Sequence, residues 1–561
     1  MRAAGVAPTP RPIVELAAAL GIRDDELEPY GRFKAKIALS ILERLAARPN
    51  GTYVNVTSIT PTPLGEGKTV ITLGLAMGLT RIGCRAIATI RQPSAGPVFG
   101  LKGGGAGGGR AQVVPMEEVN LHLTGDIHAV ALAHNLLAAM LDASLVHGNP
   151  LGIDPLAITW PRVVDVNDRA LRRIVVGLGG RDNGVPRETG FEIAVASEVM
   201  AILGLTSGYR DLRERLGRIV VGLSRDGRPV SAEDLKAAGA MAVVMREAIK
   251  PTLLQTGEGT PVFVHAGPFA NIAHGNSSVL ADRIGLKLAD CVVTESGFGV
   301  DMGFEKFADI KCRASGLAPD VAVLVCTVRA LKMHSGRYRV AAGKPLDPAF
   351  GREDLDAVAA GSANLDKQIE NVRLFGIPVV VAINVFPTDT EAELAFIRER
   401  ALAAGAEAAC RSDVFVAGGA GAEELAAAVL KAAERPRQFQ PLYDLDRPIK
   451  DKIETIATRI YGADGVDYLP AAERAITRFS ELGWGGLPIC MAKTQLSLSH
   501  DPKLSGRPRG FRVPVRDVRA SVGAGFLYAL LGDMLTMPGL PSEPNAWKMD
   551  LDAEGRIHGL F

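Results

Sequence analysis

The stretch Thr62-Pro63-Leu64-Gly65-Glu66-Gly67-Lys68-Thr69 constrains this chain more than any other. An apolar, β-prone run, Tyr53 to Ile59, precedes it, and a proline-free run, Val70 to Ile82, follows and is closed by Gly83. Strand, glycine-rich loop, Gly-Lys-Thr and helix form the context of a phosphate-binding loop. Successive backbone N–H groups cradle phosphates, the helix N-terminus adds its positive end, Lys68 adds a full charge, and Thr69 offers a hydroxyl to Mg²⁺. The pattern usually opens with glycine, and Thr62 stands there instead. A strand-to-helix turn containing Gly-Lys-Thr by coincidence is the plainer reading, but it does not account for both flanking elements. The expectation is a nucleoside triphosphate site lined by residues 62–69.

The rest of the chain reads as α/β. Two helices are expected before the loop, at Ile13 to Leu20 and Lys34 to Ala47. A second strand, Cys84 to Ile90, ends abruptly in Arg91-Gln92-Pro93-Ser94. In an open parallel sheet ligands sit beyond the carboxyl ends of strands, so Arg91 should face the phosphate loop, where its guanidinium can hold a carboxylate or phosphate through two hydrogen bonds. The alternative is a surface arginine at a strand end. Next, Gly100 to Arg110 carries seven glycines in eleven positions, flanked by Lys102 and Arg110, a composition suited to close backbone approach. A long apolar helix is expected over Ala129 to Val146, and another over Glu192 to Leu205.

Short β-branched runs then recur at α/β spacing, at Val262–His265, Cys291–Thr294, Val321–Val328 and Val379–Val385, each followed by a polar or glycine-rich loop. A further apolar run, Asp413 to Ala417, leads into Gly418-Gly419. Phe386 and Phe415 are therefore expected at strand ends beside turns, where a lone aromatic is ordinarily core. The fold class that follows is a mostly parallel sheet containing the P-loop, flanked by helices, with additional smaller α/β domains. The expected divisions are a large nucleotide-binding domain over 1–360, an α/β domain over 361–445, and a C-terminal α/β domain over 446–561.

Composition narrows the partners. With 63 basic and 62 acidic residues the net charge is +1, and nothing in it calls for nucleic acid. The six cysteines are scattered without a C-x-x-C pair, as in a reduced, cytoplasmic protein. Residues 1–30 hold five acidic residues and no signal-peptide core, and His134, Asn135 and Asp142 interrupt the most apolar stretch, so no membrane segment is expected.

The motifs resemble the formate–tetrahydrofolate ligase family from about Tyr30 to Phe561. The blocks that carry the likeness include Thr60 to Thr69, Pro93 to Gly100, Arg162 to Arg169, Gly267 to Asn276, Phe304 to Arg313, Phe386 to Thr390, Met491 to Gln495 and Thr536 to Pro541. The resemblance implies ATP-dependent joining of formate to N10 of tetrahydrofolate through enzyme-bound formyl phosphate, with ATP and Mg²⁺ and a monovalent cation as activator. It also implies a homo-oligomer, a tetramer, of the single-function form. Arg91 matches the family arginine that holds formate and then formyl phosphate, Lys68 would neutralise the γ-phosphate, and Phe386 and Phe415 match positions that sandwich the pterin.

The chain departs from the family at several places. Gln92 stands for a usual Glu, Phe415 for Trp, Ala417 for Lys, Gly105 for Ala and Arg110 for Tyr, while Cys326 and Ser335 occupy small-residue positions. Gln92, Phe415 and Arg110 motivate an alternative, a divergent P-loop acyl-phosphate ligase using another small acid or amine. A nucleotide-binding switch without turnover is a third reading, which Lys68, Thr69 and Arg91 argue against.

Overall fold

The strand that feeds the glycine-rich loop, Thr52–Ser58, lies inside a twelve-stranded sheet. The computed structural model describes residues 10–101, 103–340, 345–532 and 534–560, so Lys102 lies outside the described residues. Numbered in chain order, the strands of this sheet are β1 Leu27–Pro29, β2 Ala35–Ile37, β3 Thr52–Ser58, β4 Ala86–Ile90, β5 Gly107–Gly108 and β6 Ala111–Val114. They continue with β7 Thr252–Thr256, β8 Pro261–Val264, β9 Cys291–Glu295, β10 Val321–Cys326, β11 Val379–Asn384 and β12 Ala408–Ser412. Across the sheet the order is β1-β2-β7-β8-β4-β9-β3-β10-β11-β12, with β6 also on β7 and β5 on β6. Every pair from β8 to β12 is parallel, and the pairs on the β1 side are antiparallel.

The β-branched runs become these strands because both sheet faces are covered. In β10, Val321, Val323 and Val325 enter one core cluster, while Ala322, Leu324 and Cys326 enter the cluster on the opposite face. Side chains that alternate between two buried faces must all be apolar, which is why no polar alternation marks the strand. One face is covered by the phosphate-loop helix, α1 Lys68–Arg81, and by Glu423–Ala433 through Leu425, Ala426 and Val429. The other is covered by Leu355–Arg373, capped by Asp354 and packed through Val358, Leu365, Ile369 and Val372. Each such side chain contributes roughly 1.5–3 kcal/mol by leaving water.

Beyond residue 446 the chain builds smaller sheets, with Gly465–Tyr468 parallel to Arg512–Val515, and Phe526–Leu530 between Ile489–Ala492 and Asp517–Ser521. A buried ion pair, Lys493 Nζ to Asp301 at 2.6 Å, ties this segment to the large sheet unit. Lys36 with Asp126, and Lys332 with Glu393, are further pairs of this kind. Removing one partner from such a pair strands a buried charge, at a cost of about 3–5 kcal/mol.

Several elements differ from the sequence reading. Lys34–Ala47 is not one helix: Ala35–Ile37 pairs with β7 as a strand, and only Ser40–Arg44 is helical. Residues Phe191–Ile193 form a strand, and the helix expected from Glu192 starts after Ser197, whose hydroxyl accepts from the Met200 N–H. The strand near Asp413–Ala417 is instead Ala408–Ser412, and Val414–Ala417 is a short helix. The helix Asp126–Val146 is, among the described residues, long and apolar enough to cross a bilayer. Here it packs Val130, Ala133, Leu137 and Leu141 into a protein core. Asn135 exchanges two hydrogen bonds with the Val163 backbone, and Asp142 pairs with Arg162 and Arg187.

Candidate active site

Because β8 to β12 run parallel, their carboxyl ends share one edge of the sheet, and the polar residues that follow them converge there. β3 delivers the loop 59–67, β4 delivers Arg91, β9 delivers Glu295, β10 delivers Thr327 and Arg329, β11 delivers Asn384 and Phe386, and β12 delivers Asp413 and Phe415.

The loop is held from within and from two neighbouring strands. Thr62 N–H donates to Glu66 Oε1 at 2.7 Å, Leu64 N–H to Thr62 Oγ1 at 3.1 Å, and Gly65 N–H to the Thr62 carbonyl at 3.1 Å. Thr62 thus supplies a hydroxyl where the common pattern has none, and it closes a local turn rather than opening space. Thr327 Oγ1 donates to the buried Glu66 carboxylate at 2.5 Å, and Asn384 Nδ2 donates to the Glu66 carbonyl at 3.0 Å. Glu66 is therefore a structural strut, while Pro63, Leu64 and Gly65 form the outer rim, with Leu64 and Gly65 exposed.

Gly65 and Gly67 have φ of 77° and 78°, and Gly67 begins α1 without a side-chain cap. The first N–H groups of α1 thus face the cradle, as anion binding requires. A Cβ on Gly67 would lie 2.5 Å from Asn384 Nδ2. Gly67→Ala is expected to cost about 1–2 kcal/mol from the left-handed backbone alone. ATP affinity should fall about tenfold or more with the melting temperature little changed, as calorimetric titration can check.

Lys68 Nζ reaches Ser58 Oγ at 3.3 Å, across the mouth of the loop. Thr69 Oγ1 donates to Glu295 Oε2 at 2.7 Å, and Arg91 Nε lies 3.7 Å from Glu295 Oε1. One carboxylate therefore bridges the helix hydroxyl and the strand-end guanidinium, which places Arg91 beside the cradle. Arg91 also donates to the Pro268 carbonyl at 3.4 Å, and among the described residues its buried Nε finds no hydrogen-bond acceptor. A guanidinium so placed, with donor capacity in reserve, is suited to a small carboxylate. The hydroxyl of Thr69 and the carboxylate of Glu295 are hard oxygen donors of the kind Mg²⁺ takes.

Phe386 is half-buried, and the Arg329 guanidinium carbon sits 3.4 Å from its ring centroid. Burial pulls the Arg329 pKa down, and burial raises that of Asp389, which accepts from the Phe386 N–H at 2.8 Å. Phe415 is 55 % exposed. Its carbonyl accepts from the Arg110 N–H at 2.9 Å, and its ring packs over Gly108 and Gly109, where a Cβ would clash or touch. The glycine-rich run thus has a local reason: backbone must approach an aromatic side chain closely. The Val385 N–H donates to the Ser412 carbonyl at 3.0 Å, so the two phenylalanines follow adjacent strand ends.

Comparison with known proteins gives this constellation a context. The family model described as formate–tetrahydrofolate ligase matches residues 3–561. The chain belongs to that family. It is 63 % identical over 550 residues to a formate–tetrahydrofolate ligase of Roseiflexus sp. (strain RS-1), covering 98 % of both chains. It is 59 % identical over 550 residues to that of Desulforamulus reducens, covering 98 % of this chain and 97 % of the relative.

The positions read in the sequence as departures lie in varied local settings. Gln92 is 3 % exposed, and among the described residues neither atom of its amide has a hydrogen-bond partner. At Gly105 a Cβ would lie 2.9 Å from Pro93 Cβ, so this chain has little room for an alanine there. Cys326 is buried at the end of β10, which pushes its thiol pKa well up, and the Ser335 hydroxyl donates to the Lys332 carbonyl at 2.6 Å. Ser335 therefore satisfies a helix-end carbonyl rather than facing the site. Sequence reading places Glu295 and Arg329 in polar strand-end loops of one composite site but gives neither a role, and it does not name Asn384. The available signal was a charged or amide side chain at the carboxyl end of a buried strand, the same one that marked Arg91.

Proposed function

We propose that the protein joins formate to N10 of tetrahydrofolate at the expense of ATP, through formyl phosphate bound at the β3–β4–β9 edge. The observation that carries this reading is the Thr69–Glu295–Arg91 chain of contacts, which couples a triphosphate cradle to a carboxylate-binding guanidinium. Formate is a poor acyl donor because its carboxylate would have to expel oxide. Attack of a formate oxygen on the γ-phosphorus releases ADP and converts that oxygen into part of a phosphate leaving group. Attack of N10 on the formyl carbon then expels phosphate, and N10 loses its proton.

In this reading the N–H groups of Glu66 and Gly67, the N-terminus of α1 and the Lys68 ammonium hold the triphosphate, while Arg91 holds formate and then formyl phosphate in line. Thr69, backed by Glu295, would hold Mg²⁺, which supplies charge neutralisation of the phosphates when bound. The pterin would stack between Phe415 and the face of Phe386 opposite Arg329. Residues 1–360 would thus carry the nucleotide and formyl phosphate, residues 361–445 the folate side, and residues 446–561 a supporting domain. A monovalent cation as activator, a tetramer and a cytoplasmic location complete the reading. The high identity of the relatives favours formate and tetrahydrofolate over another acid or amine.

The test is incubation with ATP, Mg²⁺, formate and tetrahydrofolate, following 10-formyltetrahydrofolate; folded protein without product would refute the proposal. For the folate side, Phe415→Ala should raise KM for tetrahydrofolate about tenfold, the loss of one stacking partner, with KM for ATP unchanged. Equal KM for tetrahydrofolate in the two proteins would remove Phe415 from the site.

A further inference from the structure

A cavity of about 740 Å³ lies between the C-terminal segment and the helix Glu198–Leu205. No residue of the phosphate loop lines it, nor do Arg91, Phe386 or Phe415. Its size is that of a small-molecule site, and its walls differ in chemistry.

One wall carries Glu198, whose Oε1 accepts from the Gly523 N–H at 2.7 Å and the Ala524 N–H at 3.1 Å. Both recorded bonds go to that one oxygen, and among the described residues no cation pairs with this carboxyl. Burial pushes its pKa up to about 7, and burial raises that of Glu192, another lining residue. A carboxyl built into a wall by two backbone donors, with no bond to its second oxygen among the described residues, is suited to accept N–H groups from a ligand. The sides are aromatic. Phe479 and Trp484 pack at 5.4 Å between ring centroids, and Trp160 is stacked on His134 at 4.0 Å.

At the mouth, Arg474 and Arg478 lie one turn apart on the helix Pro470–Glu481. Arg478 donates to the Gly227 carbonyl at 3.2 Å, and among the described residues neither arginine has a carboxylate partner. Like charges at this spacing repel by a few tenths of a kcal/mol, which a bound anion would relieve.

We propose that this cavity binds a flat nitrogen heterocycle with an amino-amide N–H edge and an anionic tail. The edge would meet Glu198, the ring would lie against the aromatic sides, and the tail would reach Arg474 and Arg478. Guanine nucleotides and pterins share this chemistry, and the two are separated by experiment. The site is independent of the catalytic cradle, so its test does not depend on turnover.

Of the three tryptophans in the chain, Trp160 and Trp484 line the cavity and Trp547 does not. Full-length Trp547→Phe protein, titrated with GMP and separately with folic acid, should show saturable fluorescence quenching, matched by calorimetry, with at least one probe. GMP alone would identify a nucleotide site, and folic acid a pterin site. The double variant Arg474→Ala/Arg478→Ala, checked for folding by circular dichroism and by an unchanged melting temperature, should weaken binding about tenfold. Phe386→Ala should leave the cavity signal unchanged. Binding of neither probe would overturn the proposal. So would binding indifferent to the double arginine change, or binding lost in Phe386→Ala.

Discussion

Lys68→Ala protein should fold normally and fail to use ATP. Lys68 is half-buried at the mouth of the loop, and its contact with Ser58 Oγ at 3.3 Å is a long hydrogen bond that the fold can lose at little cost. Its ammonium is the one full positive charge within the loop 62–69, where charge on the transferring phosphoryl group must be met. Removing a preorganised charge of this kind costs on the order of 10²–10³ in rate, or about 3–4 kcal/mol of barrier. ADP release in single-turnover mixing should fall by that factor while the melting temperature moves by only a few degrees. Lys68→Arg should not restore the rate, because a planar fork cannot replace a compact point charge inside a tight loop. An unfolded Lys68→Ala protein, or one that turns over ATP at the parental rate, would contradict the assignment.

Arg91→Ala should separate formate from ATP. Among the described residues Arg91 meets the cradle through Glu295, and Glu295 keeps its own bond to Thr69 at 2.7 Å without the arginine. ATP affinity should therefore change little. Formate would lose a bidentate, charge-assisted contact, which is worth about 3–4 kcal/mol when both hydrogen bonds go. The formate concentration for half-maximal rate should rise by about 10²–10³, read from initial rates at saturating ATP and tetrahydrofolate. Arg91→Lys should recover only part of this, since an ammonium offers one direction of contact where the guanidinium offers two. An unchanged formate dependence would place the carboxylate elsewhere.

The parallel half of the sheet was legible because a strand buried on both faces must be a continuous apolar run. Val321 to Cys326 and Val379 to Asn384 both carry that signature. The antiparallel half was not. Ala35–Ile37 and Thr252–Thr256 contain Lys36, Gln255 and two threonines, all buried, and Lys36 is tolerated only because Asp126, ninety residues away in sequence, neutralises it. No local pattern announces such a partner. The phosphate loop and Arg91 were visible as motif and strand-end charge, but the bridging role of the carboxylate between them was not. Glu295 gains its meaning from β9 inserting between β3 and β4, a consequence of sheet order rather than of any local sequence. Phe415 shows the opposite case. Its residue type was noticed, but its helix and its seat on Gly108 and Gly109 depend on a run three hundred residues earlier.

The most direct test of a shared cradle for triphosphate and formate is the fate of the formate oxygens. With ¹⁸O-labelled formate, ATP and tetrahydrofolate, mass spectrometry of the released phosphate should find one formate oxygen transferred per turnover. The protein should release ADP in equal amount. Product formation with unlabelled phosphate would mean that the acid is never phosphorylated, and would contradict the account.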